Sequence, residues 1–363
     1  MALEERALEP NAFLSPLFVR PAARFLAAPE LAPALRFVLI ERDAGEAARL
    51  VGVAILEDSP PTRGFPLRHV RAFRSVHSYL SGFLLDRDHA KDAARALFAG
   101  LRVSSWARHG LAVDEYPAEG AQTEIVRRAA EASGFRWFEG HRSRRATLAP
   151  ASQAGEEFLT AHLSGQRRKK IRRSRRLLEE SGPVRWRLVG GAEVDEACIE
   201  RFLQVEHDGW KGEGATSLLS DEGRAAFARE TLRSFAGAGR LFLTELLVGD
   251  EVVASTTNFV SGGAGFAFKV GWAATFARAG PGLLNEHEFV VAAPSACAGL
   301  EWIDSGAAEG SYIETLWAGR RELVRGTFTR TPLGRLAAIG LRSLRASRGL
   351  WRRRVSSAAP PRD

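Results

Sequence analysis

A chain of 363 residues with 45% hydrophobic and 26% charged residues is too apolar for a disordered protein and long enough for about two domains, each with its own core. Its two cysteines, Cys198 and Cys297, have no CxxC spacing and no Cys/His cluster around them, which excludes a disulfide framework and a sequence-visible zinc site and fits a reducing cytoplasm. The formal charge of +8 is concentrated in two places: eight of the ten residues 167–176 are basic, and residues 331–363 carry eight Arg against one Asp, so the remaining body is mildly acidic.

The opening MALEERALEPNAFLSP is acidic where a signal peptide would be basic and then apolar, and no window has the apolar length of a membrane span. The expectation is a cytoplasmic protein, at most peripheral on the inner face of the membrane. RFVLIERD and ARLVGVAILED then read as a hairpin and RHVRAFRSV as a third strand. A helix follows through DHAKDAARALFAGLRVSSWA, with Asp88 as candidate N-cap and Gly110 as candidate stop. LAVDEYP is a short strand, AQTEIVRRAAEAS a helix ended by Gly134, and FRWFEGHRSRRATLAP a further strand.

After a junction near 150–156, the basic run LSGQRRKKIRRSRRLLEESG reads as a helix continuing from upstream. Leu159, Leu163, Ile171, Ser174 and Leu178 form its packed stripe, and Arg168, Lys169, Arg172, Arg173 and Arg176 project from its other sides. A nucleic-acid arm is expected beside a reading helix, a zinc module or stacking aromatics, and none is present; a solvated face, a multiply anionic small molecule or an anionic membrane remain as its partners. Strand VRWRLV, helices over about 196–208 and 221–236, and three strands within RLFLTELLVGDEVVASTTNFVSGGAGFAFKVGW come next. A helix over about 282–298, strand LEWIDSG and a short helix from Ser311 close the series. The fold class is α/β, an α+β mixed sheet with flanking helices, and both halves repeat the order hairpin, strand, helix, strand, helix. The division is 1–150, 151–330 and a tail 331–363. In the tail, Leu333, Leu336, Leu344, Trp351 and Val355 share a stripe that suits a membrane surface, or else the helix is solvated and frays.

No nucleophile elbow, Walker loop, HExxH or dinucleotide fingerprint occurs. Three stretches carry the candidate chemistry. In EHDGWKGEGATSL, Glu206, Trp210 and Lys211 stand on or beside a glycine-rich loop that suits a substrate lid, or else a plain interhelix loop with Trp210 in the core. In FAFKVGWAATFARAGPGLLNEHEFV, Lys269 alternates with Phe266 and Phe268 and is expected to face away from both rings, toward a cleft or an acid. The following Gly280-Pro281-Gly282 opens a helix whose N-terminus, with Arg278 beside it, suits a phosphate. Glu286, His287 and Glu288 lie in its first turns. In LEWIDSGAAEGSYIETLWAGRRE, Asp304 ends a strand where α/β folds place active-site groups, with Glu309 and Tyr312 after it; the plain alternative is that Asp304 caps the next turn.

WKGEGAT, GRLFLTELLVGDEVVAS, FKVGW with FARAGPGLLNEHEF, and DSGAAEGSYIETLW together resemble the CelD/BcsL-like branch of the GNAT (GCN5-related N-acetyltransferase) superfamily, and the basic helix is similar to one in the related FemAB-type proteins. The resemblance covers residues 158–325 well and implies tandem GNAT-like units: a degenerate one, then a catalytic one. It implies transfer from acyl-CoA or acetyl-CoA, without a metal, to an amine in a cell-envelope glycan or lipid precursor, including ceramide-synthase-like fatty acyl transfer. Donor pyrophosphate is gripped in that superfamily by a pattern of the form Gln/Arg-x-x-Gly-x-Gly/Ala; here Gly280 and Gly282 fit, while Ala277 holds the basic position and Arg278 follows it. Position assigns Lys269, Glu286, Asp304 and Tyr312 to catalysis, Tyr312 as acid for the leaving thiolate, and Glu206, Trp210, Lys211, His287 and Glu309 to the substrate. FemAB-like transfer from aminoacyl-tRNA and a non-catalytic scaffold for polysaccharide synthesis are the competing readings.

Overall fold

The computed structural model of the protein describes residues 2–26, 35–43, 48–62, 64–209, 214 and 216–341. Helices α1 (Ala2–Glu5) and α2 (Pro16–Phe25) precede strands β1 (Leu35–Asp43), β2 (Ala48–Ser59), β3 (His69–Ala72) and β4 (Phe83–Leu85). Then come α3 (Ala90–Val103), β5 (Gly110–Pro117), α4 (Ala121–Ala132) and β6 (Arg136–Leu148). Helices α5 (Glu156–His162) and α6 (Gly165–Glu179), strand β7 (Val184–Gly190), and helices α7 (Glu196–Asp208) and α8 (Glu222–Gly237) follow. Strands β8 (Leu241–Val248), β9 (Glu251–Ser261) and β10 (Ala264–Trp272), helix α9 (Pro281–Ala296), and strands β11 (Trp302–Asp304) and β12 (Gly319–Thr329) complete the order, and residues 332–341 are helical. The outer part of the tail stripe, from Leu344 on, lies outside the described residues.

The chain divides into two compact units, Met1–Ala32 with Ser143–Glu322 and Pro33–Arg142 with Leu323–Asp363. Both are α/β, mixed sheets with flanking helices. In the smaller unit the sheet runs β1-β2-β3-β5-β12, with β4 also on β2. Helix α3 buries Ala90, Ala93, Ala94, Leu97, Phe98 and Leu101, the three-and-four spacing of a one-sided helix. It does not start on Asp88: His89 holds the cap position without a side-chain capping bond, while Asp86 organises the turn by accepting from the Asp88 N–H. This helix carries the chain between β3 and β5, which pair in parallel only at Val70/Leu111 and Arg71/Ala112.

In the larger unit the order is β6-β11-β10-β9-β8-β7. Only β10 and β11 are parallel, joined from Ala264/Trp302 to Phe266/Asp304, and α9 is the crossover between them. On one face α9 packs with α5 and α6; on the other α7 lies on β9 and β10, and α2 on α8. Residues 1–32 belong to this unit because NAFLSPLFV folds into the aromatic core. Ser15 caps α2, Phe18 meets Phe227 edge-on at 5.4 Å and Phe268 at 6.1 Å, and Phe13 meets Phe266 at 6.1 Å. The buried Glu4 carboxylate holds Arg240 at 2.5 Å.

Two expectations need correction. The basic helix is not continuous with the residues upstream: Ser164 starts α6 anew by accepting from the Arg167 N–H, a cap that separates it from α5. The predicted stripe Leu159, Leu163, Ile171, Ser174 and Leu178 is nevertheless wholly buried. Lys269 does not face away from the phenyl rings. A β-bulge between Ala267 and Lys269 inserts one residue and cancels the alternation, so the ammonium stands 5.5 Å from the Phe268 ring.

Phe18 is fully buried among four aromatic rings, so Phe18→Ala should destabilise the larger unit by about 3–5 kcal/mol, read as a lower urea midpoint with an unchanged slope.

Candidate functional site

The end of β10 and the start of α9 are joined by a 3-10 turn, Ala274–Ala279, and Gly280. Gly280 has φ 65° and ψ 53°, the left-handed conformation that costs a glycine least, and Pro281 takes the first helical position, where a missing N–H is harmless. The Ser174 hydroxyl of α6 donates to the Ala279 carbonyl, pinning the turn to the basic helix. Leu283 and Leu284 return their N–H groups to Gly280, and the Gly282 N–H has no backbone partner among the described residues.

A cavity of about 210 Å³ lies at this helix start, lined by Lys170, Trp272, Gly280, Gly282 and Tyr312 among others. A Cβ at Gly282 would stand 3.3 Å from Trp272 and 3.7 Å from the Tyr312 hydroxyl, so the glycine keeps the cavity open. Tyr312 retains 42% of its surface exposed. Partial desolvation of its phenol, and after it the neighbouring Glu286, push the group above its ordinary value, so it stays protonated at neutral pH.

Glu286, on the sheet-facing side of α9, is 3% exposed. Burial raises its carboxyl to about 7, partly offset by Thr256, whose hydroxyl donates at 3.0 Å, and by the Trp317 indole. Trp317 acts through its nearby dipole, since its N–H has no well-formed hydrogen bond. Asn285 fixes the same turn of helix by donating to Thr244 and Thr256 and accepting from Trp186. A carboxyl that titrates near neutrality beside a protonated phenol is the pairing expected of a general base and a general acid.

The structure thus brings together Glu286, Tyr312, Gly280 and Gly282 and sets the other candidates elsewhere. Lys269 lies opposite Thr257 and Glu286 bonds Thr256; adjacent residues of one strand point to opposite faces, so the two never share a site. On its own face Lys269 is lowered to about 8, by burial first, with Glu206 raising it and Arg224 lowering it. The buried Glu206 accepts from the Leu218 N–H at 2.8 Å. Asp304 ends β11 as expected, but it is held by Arg145 at 3.5 Å and Arg321 at 3.6 Å and accepts from the Gly306 N–H. Arg321 in turn pairs with Glu9. His287 bonds Glu288, which pairs with Arg175 at 2.8 Å, in a groove between α5, α6 and α9. Glu309 accepts from the Arg144 N–H, and Arg278 is exposed. Trp210 and Lys211 lie outside the described residues. Lys170 and Trp272 were not singled out from sequence: Lys170 is hidden within the charge run, although it is one of only five lysines.

Residues 165–312 match the acetyltransferase (GNAT) domain family. The protein is a transferase of the acyltransferase class. FemX is similar in fold, at 12% identity and a TM-score of 0.57, over 93% of this chain and 97% of that one. So is the C-terminal domain of a protein assigned as a lysylphosphatidylglycerol synthetase from Agrobacterium fabrum (13% identity, TM-score 0.52, 94% of each chain). A conserved protein of unknown function from Bacteroides thetaiotaomicron gives 13% identity and a TM-score of 0.53 over 90% of this chain and 94% of that one. No curated protein matches significantly. Among the described residues no group of three or more His, Cys, Asp or Glu could hold a metal ion, and no helix is long and apolar enough to cross a membrane.

The raised Glu286 value has a consequence for stability. A carboxyl that binds its proton more tightly when folded contributes fully below its unfolded value, near 4.5, and loses that contribution as pH rises through about 7. Glu286→Gln should therefore raise stability at pH 8 by about 1–3 kcal/mol, with a smaller gain at pH 5, measured by urea unfolding at both.

Proposed function

We propose that the protein transfers an acyl group from an acyl-CoA to an amine, with the catalytic site at the start of α9. The observation that carries this reading is the cavity opened by Gly282, with the Tyr312 hydroxyl in its wall and the buried Glu286 close enough to raise that phenol. The donor fits the residues present: Gly282 leaves a cradle that a Cβ would narrow, and Lys170 supplies from α6 the charge that Ala277 lacks. Lys170 and the Gly282 N–H would hold a donor phosphate.

In the chemical step Glu286 accepts a proton from the attacking amine as the new C–N bond forms. Tyr312 donates its proton to the sulfur as the C–S bond breaks; the phenolate then recovers a proton from solvent and Glu286 releases the one it took, which resets both groups. Neither residue needs a metal for this exchange. The acceptor is an amine of a cell-envelope glycan or lipid precursor, as in the CelD/BcsL-like branch, with the protein peripheral on the inner face of the membrane.

A second reading, FemAB-like transfer from aminoacyl-tRNA, is favoured by α6. Arg175 pairs with Glu288 and Arg168 bonds the Thr160 carbonyl. Arg167, Lys169, Lys170, Arg172, Arg173 and Arg176 are exposed with no carboxylate partner among the described residues. Binding of charged tRNA that falls steeply with salt would support it, and retention of CoA or acyl-CoA by the purified protein, found by mass spectrometry, supports the first.

With an acyl-CoA and an amine acceptor, the rate should rise with pH through about 7 and then level, as Glu286 loses its proton. Glu286→Gln should remove that rise and lower kcat by about 10²-fold or more, and Tyr312→Phe should lower kcat by about 10²-fold. A pH profile unchanged in Glu286→Gln would reject Glu286 as the base. Neutralising Arg172, Arg173 and Arg176 together should weaken association with acyl-CoA or anionic vesicles without unfolding the protein, as read by titration, vesicle sedimentation and circular dichroism.

A further inference from the structure

A cavity larger than that at the start of α9 lies in the smaller unit. It measures about 530 Å³, within the range of small-molecule sites, and opens where β3 and β5 part after their short parallel pairing at Arg71/Ala112. Two guanidiniums in its wall share one carboxylate. Asp114 accepts from Arg74 at 2.6 Å and from Arg325 at 2.7 and 3.0 Å, and both hold its carboxyl below the ordinary value against the opposing effect of burial.

The backbone is bent to make this cluster. Glu115, next to Asp114, is the one non-glycine residue with a positive φ among the described residues, at 50°, and β5 carries the extra residue of a bulge there, Asp114 and Glu115 together facing Arg325 between the Val324/Tyr116 and Gly326/Val113 pairs. Both distortions cost free energy and re-aim side chains. A guanidinium has five N–H donors. Arg74 uses Nε on the Ser78 carbonyl and Nη1 on Asp114, and Arg325 uses Nε and Nη2 on Asp114. Arg74 Nη2 and Arg325 Nη1 are left without a hydrogen-bond partner among the described residues, and Glu115 as well as Asp114 acts electrostatically on Arg325.

We propose that this cavity is a second binding site, separate from the transferase chemistry, for a small molecule with a carboxylate on an apolar body, held by Arg74 and Arg325. The open Nη groups of Arg74 and Arg325 suit the two oxygens of a carboxylate. Phe65, Phe138, Ala338 and Leu341 in the lining suit the apolar body. His69, also in the lining, bonds the Leu67 carbonyl through Nδ1 at 2.8 Å. Burial favours its neutral form, so Nε2 is an acceptor for a ligand N–H or O–H.

The test is calorimetric titration of the full-length protein with hexanoate and 3-phenylpropionate, each beside its primary amide, and with inorganic phosphate. Acetyl-CoA is titrated on the same samples. The carboxylates should bind about tenfold or more tightly than the amides, and Arg325→Gln should weaken them by about tenfold or more while leaving acetyl-CoA binding unchanged. Ala112→Leu, which adds bulk to the cavity wall and leaves Arg74, Arg325 and Asp114 in place, should do the same if Arg325→Gln unfolds. Equal binding of acids and amides, binding of phosphate alone, no binding by either acid, or undiminished binding in Ala112→Leu overturns the proposal. Loss of acetyl-CoA binding alone strikes the transferase reading and leaves this one standing.

Discussion

The site depends on one constraint, a parallel strand pair among the otherwise antiparallel strands of the larger unit. Antiparallel neighbours such as β8 and β9 can be joined by a two-residue turn at Gly249-Asp250, but β10 and β11 run the same way and require a crossover. That crossover is α9, so its N-terminus is delivered to the end of β10, and the left-handed Gly280 and the Pro281 start follow from the sharp change of direction. Because the two strands stay paired for only three residues, space opens beyond them for Tyr312 and the cavity. The smaller unit has the same device: β3 and β5 are parallel for two residues, α3 crosses between them, and its cavity lies where they separate.

The bulge in β10 then decides which chemistry is available on which face. With strict alternation Lys269 would have faced α9 and competed to pair with Glu286. The extra residue at Phe268 moves the ammonium to the face where a Gly271 side chain would strike the Glu206 backbone. Glu286 is left with hydroxyl and indole neighbours and, among the described residues, no cation to draw it down. A lysine beside it would have lowered the carboxyl toward or below its ordinary value and left it ionised throughout the neutral range.

Periodicity made much of this legible. The buried stripe of α6 and the strand and helix order from Val184 to Asp304 follow from spacing alone, and Gly280, Gly282, Glu286 and Tyr312 could be chosen because glycines at a helix start and polar groups at strand ends have few structural reasons to be there. The misreadings have one cause, that a local pattern does not register a tertiary event. A bulge is a mismatch between two strands, so nothing within FAFKVGW announces it. The docking of Phe13 and Phe18 depends on Phe227, Phe259, Phe266 and Phe268, more than 200 residues away in the chain. Lys170 reads as one charge in a run of eight until the Ser174 hydroxyl ties that helix turn to Ala279.

The energetics of Glu286 separate a structural role from a chemical one. Holding a carboxyl at about 7 rather than 4.5 costs the folded state roughly 3 kcal/mol when it is ionised, a large share of a domain's net stability. A polar anchor between α9 and the sheet is already present one residue earlier, where Asn285 joins Trp186, Thr244 and Thr256 without any charge. A second, ionisable anchor adds little to that packing, and Gln in its place would keep a hydrogen bond to Thr256 without the cost of a buried charge. What Gln could not do is exchange a proton near neutral pH, and that capacity, beside a phenol kept protonated by the same surroundings, is what the position supplies.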